Sequence, residues 1–306
     1  MPSNVPSRER LQQLLAEELP GREELFPHLD CRAILRYGGY VGSVIESHDR
    51  LPRAMDHARK RIAAIETAGG SCHSGTTIVA DTMSRCKGRF TRSWHAPPGG
   101  VWGCMIHANT LLEPAKRLVP LAVGVACCEA VRAVGGHGAK LRWVNDVLMA
   151  EKKVAGFLVE TCWGPRFGEE YHLVGFGINV NNHDFPGELL GSATSLVHEL
   201  GHRLDLSDFT TMFLAKLTWN FGLLSYEEAQ FLASGRCSGP GGMHQLLASW
   251  QELSDTVGRR VLFGFDVMND PQYEATVLGI AADGGLKLRF ADGAVKVEHC
   301  GEIRYR

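Results

Sequence analysis

The 306-residue sequence contains no CxxC pair: its nine cysteines, from Cys31 to Cys300, are an odd number scattered along the chain. That excludes a zinc ribbon and a thioredoxin-type dithiol, and free thiols in a reducing cytoplasm are the simplest reading. There is no excess of charge of either sign: 32 basic residues face 34 acidic ones, for a net of −2. Binding nucleic acid through bulk positive charge is therefore not expected. No apolar run exceeds the 11 residues from Leu118 to Cys128, which Pro120 interrupts; a membrane-crossing helix needs about 20. The N-terminal stretch carries acids early and has no hydrophobic centre, unlike a secretory signal. It is also too short to hold a winged-helix DNA-binding module ahead of the first strand. No Walker A sequence occurs, so a nucleotide, if bound, is bound by another design.

What is present is ordinary for a globular chain, 44% hydrophobic and 22% charged, which argues against disorder. Residues Ser7 to Glu18 read as a short amphipathic helix stopped by Pro20 and Gly21. An α/β pattern follows from about residue 40. Strands are expected at Gly42–Glu46, Thr76–Ala80, Val101–Ala108 and Tyr171–Val180, with helices at Leu51–Ala68 and Pro114–Val134. Leu141–Met149 and Lys153–Glu160 flank a polar turn and suggest a hairpin. Helices are expected at Glu188–Leu200, Leu206–Leu232 and Met243–Leu253. The last fifty residues read as short strands joined at Asp283-Gly284-Gly285 and Asp292-Gly293, a pattern that suggests a small SH3-like barrel. The expected organisation is a helical leader over 1–39, a main domain over 40–254 and the small barrel over 255–306.

The segment Arg85-Cys86-Lys87-Gly88-Arg89-Phe90-Thr91-Arg92-Ser93-Trp94 has four cations in eight positions and no acid. Such a loop repels itself unless an anion sits in it, and guanidinium forks suit phosphate and carboxylate oxygens. A phosphate-binding loop and a solvated basic loop both fit. Asn145 and Asp146 end an apolar run, where polar groups need hydrogen bonds or a cavity; a structural turn and a ligand contact explain them equally well. Lys153 stands across the hairpin from Asp146, where its ammonium could neutralise charge on a phosphate or carboxylate oxygen. Gly175-Phe176-Gly177-Ile178-Asn179-Val180-Asn181 has glycines at alternate strand positions, a mark of close approach by a ligand or another backbone.

His198-Glu199-Leu200-Gly201-His202 spells the HExxH zinc-protease pattern. That chemistry needs both histidines on one face of a continuous helix. Gly201 sits where the helix would end, as a C-terminal cap, which takes His202 off that face. No metal site is expected there.

Taken in order, these segments resemble the biotin protein ligase family. Cys86 to Trp94 aligns with its GRGRxGRxW loop. Arg142-Trp143-Val144-Asn145-Asp146-Val147 aligns with KWPNDI, and Lys153-Val154-Ala155-Gly156 with the K-x-x-G strand that follows. Gly175 to Asn181 matches GxGINVN, and Ser195-Leu196 with Gly201 matches a later SL-x4-G stretch. The resemblance implies a central mixed β-sheet flanked by helices, the class II aminoacyl-tRNA-synthetase-like catalytic domain of biotin and lipoate ligases, followed by an SH3-like barrel. It implies a two-step reaction in which ATP (with Mg2+) and biotin give biotinyl-5'-AMP, and a lysine of a biotin carboxyl carrier domain then takes the biotin. Lys153 would stabilise the carboxylate and α-phosphate. Arg89, Lys87 and Arg92, with Gly88, would close the loop over the adenylate. Trp94 and Asn179 would help hold the nucleotide, and Asp146 would orient the acceptor lysine or take its proton. Asn145 and Gly156 complete the implied contacts, and a homodimer is a further implication. The sequence departs from the family at Cys86, Lys87, Thr91 and Val144, and at two positions that contact biotin's polar ring. Met83 stands where the family has Gln, and Ser47-His48 where it has Ser-Thr. Another acyl acid, such as lipoate or octanoate, or a binding protein without turnover, is the alternative.

Overall fold

The computed structural model describes residues 5–90 and 92–306, so Thr91 and residues 1–4 lie outside the described residues. Two helices come first, α1 (Arg8–Leu25) and α2 (Cys31–Gly38). The Ser7 hydroxyl accepts from the Arg10 amide at 3.2 Å and caps α1. Contrary to the sequence expectation, α1 runs through Pro20. A helix-interior proline costs about 3 kcal/mol, and tertiary anchors offset it. Arg22 forks onto both Glu129 oxygens at 3.0 and 2.8 Å, Lys216 reaches Glu18 at 2.6 Å, and Leu11 and Leu14 are buried.

The main sheet is built from β1 (Ile45–Leu51), β2 (Thr76–Met83), β3 (Val101–Ala108), β4 (Lys140–Arg142), β5 (Asp146–Met149), β6 (Lys152–Trp163) and β7 (Glu170–Ile178). Its order is β1-β2-β3-β7-β6-β5-β4, with β1 and β2 parallel and all other pairs antiparallel. This is the mixed sheet expected. The β5–β6 hairpin turns at Ala150 and Glu151, both with positive φ, as a tight two-residue hairpin turn requires.

The helices divide between the two faces. On one lies α3 (Ala54–Thr67), whose Met55, Ala58 and Ile62 cover Ile78, Ala80, Cys104, Ile106 and Leu173. The other carries α4 (Glu113–Lys116), the apolar α5 (Val119–Ala133), α7 (Leu206–Ser234) and α8 (Gln245–Leu253), with α1 and α2 packed outside α7. The crossing of α2 over α7 depends on two glycines. A Cβ on Gly38 would stand 1.8 Å from the Thr218 carbonyl oxygen, and one on Gly222 would stand 2.0 Å from that of Ile34. The expected helix over Glu188–Leu200 is instead a loop with one 3-10 turn and the short α6 (Leu196–Leu200). Gly191, at φ 84°, breaks it.

The C-terminal strands β8 (Arg260–Gly264), β9 (Tyr273–Ile280), β10 (Leu286–Arg289), β11 (Val295–Glu298) and β12 (Glu302–Tyr305) form a second sheet, antiparallel throughout, in the order β11-β10-β9-β8-β12. It fits the SH3-like barrel expected. Val261, Phe263, Val277, Leu286 and Leu288 continue the main core into it, and the Trp143 indole donates to the Gly284 carbonyl at 3.2 Å. Among the described residues no helix is long and apolar enough to cross a membrane.

Candidate active site

A cleft opens on the α3 side of the sheet, floored by strands β3, β6 and β7 and roofed by the loop between β2 and β3. The loop is a small hairpin of its own. Lys87 bridges to Ser93, the Gly88 amide donates to the Arg92 carbonyl at 2.8 Å, and the Trp94 amide donates to Cys86 at 3.1 Å. Its far end docks on the C-terminal sheet. Arg89 donates to the Gly301 carbonyl at 2.8 Å, Arg92 forks onto both oxygens of Glu302, and Phe90 meets Phe265 edge-on with ring centroids 5.9 Å apart.

The cleft has two unlike ends. At one, Arg89, Arg92 and Lys153 converge with Asn145, Asp146 and Glu302, and Lys87 also lines the cleft. At the other, Met55, Met83, Cys86, Leu158 and Gly175 form a largely apolar wall beside the buried Arg53. Five cations against two carboxylates in the lining leave the cleft positive, so it favours an anionic ligand.

The hairpin β5–β6 sets the chemistry of the charged end. Lys153 Nζ lies 2.5 Å from Asp146 Oδ1, and Arg142 donates to Asp146 Oδ2 at 2.6 Å. Burial alone would raise the Asp146 carboxyl, but Lys153 and Arg142 outweigh it and hold the group at about 2. Asp146 is thus a fixed anion at neutral pH. Asn145 is pinned to β6, donating to the Phe157 carbonyl at 2.6 Å and accepting from its amide, through the backbone, at 3.1 Å. Its side-chain oxygen faces Arg89 Nη1 at 3.5 Å.

The strand glycines explain the floor. A Cβ on Gly177 would lie 2.6 Å from Trp94 Nε1, and one on Gly156 would lie 2.7 Å from Lys153 Cε and 3.0 Å from the Trp94 ring. Their absence lets the indole lie flat on the sheet, with Lys153 Nζ 5.1 Å from its centroid. The indole N–H is buried and has no hydrogen-bond partner among the described residues, so it offers a donor to a ligand.

Of the residues read from the sequence, Lys153, Arg89, Asp146, Met83, Lys87, Gly88, Arg92, Trp94, Asn145 and Gly156 all line this one cleft. Ser47 and Asn179 do not. Ser47 pairs with Val79 in the strand register, and its hydroxyl is buried without a partner. Asn179 is buried, accepts from the Asn182 side chain at 3.1 Å and ties the end of β7 to α6 through the Leu196 amide. The Cys86 thiol, which lines the apolar end, is pushed up to about 11 by burial and is not a thiolate at neutral pH. Arg53 and Glu302 were not legible. Arg53 precedes α3 and donates to Glu160 at 2.7 Å, and Glu302 comes from the other sheet; no local spacing marks either. The zinc-protease pattern fails as expected: Gly201 caps α6 at φ 77° and His202 is exposed beyond it.

Comparison with known proteins follows the same geometry. Residues 63–181, which carry the basic loop, the β5–β6 hairpin and the whole of Gly175–Asn181, match the model of the biotin/lipoate A/B protein ligase family. A biotin–[acetyl-CoA-carboxylase] ligase of Paracoccus denitrificans is 30% identical over 169 residues, covering 53% of this chain and 70% of the relative. The bifunctional ligase/repressor BirA of Bacillus subtilis is 35% identical over 146 residues; the match covers 46% of this chain and 44% of the relative, so it spans less than half of that protein. Among solved structures, the biotin protein ligase of Aquifex aeolicus in complex with biotin and ATP superposes with a TM-score of 0.65 at 21% identity, over 86% of this chain and 98% of that one. The fold, the motif order and the Paracoccus relative together place this chain in the biotin protein ligase family.

Proposed function

We propose that the chain is an ATP-dependent biotin–protein ligase, which joins biotin to AMP and passes it to a lysine of a carrier domain of a biotin-dependent carboxylase. The observation that carries this reading is the convergence of Lys153, Arg89 and Arg92 at one end of a cleft whose other end is apolar, with Lys87 also in its lining. An acid carboxylate and a nucleotide triphosphate repel each other, so their meeting needs cations. A hydrocarbon tail needs the apolar wall.

In the first step a carboxylate oxygen of the acid bonds to the α-phosphorus of ATP, and the bond to pyrophosphate breaks. Lys153 supplies positive charge where the two anions meet, and Arg89 neutralises the developing oxyanions. In the second step the neutral acceptor amine bonds to the acyl carbon, the bond from that carbon to the AMP phosphate oxygen breaks, and the amine's proton passes to the departing phosphate or to water. Asp146, held at about 2, is too weak a base to take that proton well at neutral pH. It orients Lys153 and the incoming lysine instead, and that lysine attacks as the neutral amine. The roof loop, already folded over the cleft, limits hydrolysis of the mixed anhydride.

Magnesium fits as a companion of the nucleotide phosphates rather than as a resident ion. Among the described residues, the one group of three close His, Cys, Asp or Glu side chains suited to a metal does not line the cleft. Nine free cysteines support a reducing compartment, the cytoplasm. We take 40–254 with its leader as the catalytic unit, because Leu11, Leu14 and Ile34 of the leader share its core, and 255–306 as the support for the roof loop.

A second reading, activation of a different acyl acid, rests on Met55, Met83 and Leu158 at the apolar end. One experiment separates the two. Purified protein, Mg-ATP and a carrier domain are incubated with biotin, lipoate or octanoate, and pyrophosphate release and acylation of the carrier are followed. Biotin-dependent acylation supports the first reading, and preference for another acid supports the second.

A further inference from the structure

Glu46 and His48 stand two residues apart on β1 and therefore on the same face, the one covered by α3. From α3, His57 and Arg61 point back at them. His57 Nε2 lies 3.4 Å from Glu46 Oε2, and His48 Nε2 lies 4.0 Å from the same oxygen. The two imidazoles meet edge-on, with centroids 4.7 Å apart. One ligand atom from each of the three residues lies within 4.8 Å of the others. Arg61 holds the second Glu46 oxygen, which leaves Oε2 turned toward the histidines. His48 Nε2 is shut off from solvent and has no hydrogen-bond partner among the described residues. A buried ring nitrogen without a partner is unfavourable by itself, and a ligand at the centre of the cluster would satisfy it.

We propose that Glu46, His48 and His57 form a two-histidine, one-carboxylate site for a divalent transition-metal ion of the zinc class. Bonds of about 2.0–2.2 Å in a tetrahedral set place neighbouring ligand atoms about 3.4 Å apart. The His57–Glu46 pair already has that spacing, and small side-chain rotations bring in His48. Two imidazoles favour zinc, copper or nickel over the oxygen-seeking magnesium and calcium. The side chains keep 21 to 34% of their surface exposed, so an ion can enter and retain a water as its fourth ligand.

The site is separate from the candidate active site, since none of the three residues lines the cleft. The ion would tie β1, the edge strand of the sheet, to α3, whose first turn supplies Ala54 and Met55 to the cleft wall. This differs from the HExxH segment. There His198 Nε2 comes within 3.3 Å of His183 Nδ1, but no third ligand joins them among the described residues.

The test titrates metal-free full-length protein with Co2+ and then Zn2+, following the visible absorption of tetrahedral cobalt and the heat of binding. The expected result is one ion per chain, displacement of cobalt by zinc, no competition from Mg2+, and at least tenfold weaker binding in His57→Gln and in His48→Gln. Glu46→Gln provides a third arm, because glutamine keeps the shape and can still accept from Arg61. Each variant's circular dichroism and Tm show that it is folded. Absence of stoichiometric binding in the wild-type protein overturns the proposal. So does binding that survives the double His48→Gln/His57→Gln change or disappears in His198→Gln, since either assigns the ion to another place.

Discussion

Arg92, in the middle of the roof loop, forks onto both oxygens of Glu302 at the start of β12, 210 residues away in sequence. The C-terminal sheet thereby offers the loop a carboxylate where a ligand phosphate or carboxylate would compete for the same guanidinium. Arg92 is 45% exposed, so the pair adds little to global stability, on the order of 1 kcal/mol or less. Its effect is local order. Glu302→Ala is expected to leave Tm nearly unchanged while hydrogen exchange across the loop residues flanking Arg92 accelerates in ligand-free protein; exchange measured by mass spectrometry checks this.

The floor of the cleft gives a steric expectation. Gly177→Ala puts a methyl group 2.6 Å from the Trp94 indole nitrogen, so the ring must lift into the cleft. Overpacking of this kind costs about 1–3 kcal/mol. A KM for ATP or acid raised at least about tenfold is expected, with the fold kept. The double variant Gly177→Ala/Trp94→Ala should recover room in the cleft, and steady-state kinetics of pyrophosphate release on both variants shows whether it does.

A different glycine bears on stability alone. Gly38→Ala forces a Cβ to 1.8 Å from the Thr218 carbonyl oxygen of α7, and neither backbone can yield without moving a helix. The expected loss is about 2–3 kcal/mol, read from urea unfolding, with no direct effect on the cleft.

Acid sensitivity has an identifiable source. His107 is buried between Tyr40, His172 and Phe221, and burial together with the neighbouring His172 pushes its imidazole down to about 3. An unfolded histidine titrates near 6.5. Between those values the unfolded chain binds the extra proton, so stability is full above about 6.5 and falls as pH drops toward 3. His107→Phe is expected to flatten that decline by up to about 1.4 kcal/mol per pH unit. Asp146 contributes fully above its ordinary carboxyl value and loses that contribution only as pH falls from there toward about 2, so its window lies below the pH 7 to 5 range. Urea titrations at several pH values between 7 and 5 measure the slope.

Most of the charged end of the cleft was legible because it is local. Asp146 and Lys153 sit on two strands joined by a two-residue turn, so period-two alternation and a short loop bring them together. The basic loop was legible because its cations have no neighbouring acids in sequence. Glu302 supplies the missing acid from the other sheet, and Arg53 enters from the start of α3; partners so distant leave no spacing to read. Parity also limits the reading. Ser47 and His48 are adjacent, yet His48 faces α3 while Ser47 pairs with Val79 of the main core. Helix α1 passes through Pro20 because contacts to α5 and α7 outweigh local propensity. Around Glu188 the reverse holds: local breakers prevail over an apparently helical stretch.

The proposed ligation requires Lys153 to sit where an acid and a nucleotide become a mixed anhydride. Exchange of labelled pyrophosphate into ATP, measured with and without biotin for the wild-type protein and Lys153→Ala, tests it most directly. Exchange that requires biotin and falls at least about 100-fold in a folded Lys153→Ala variant is the expected result. Undiminished exchange in that variant, or none in the wild-type protein with biotin or any other acid supplied, would contradict the account.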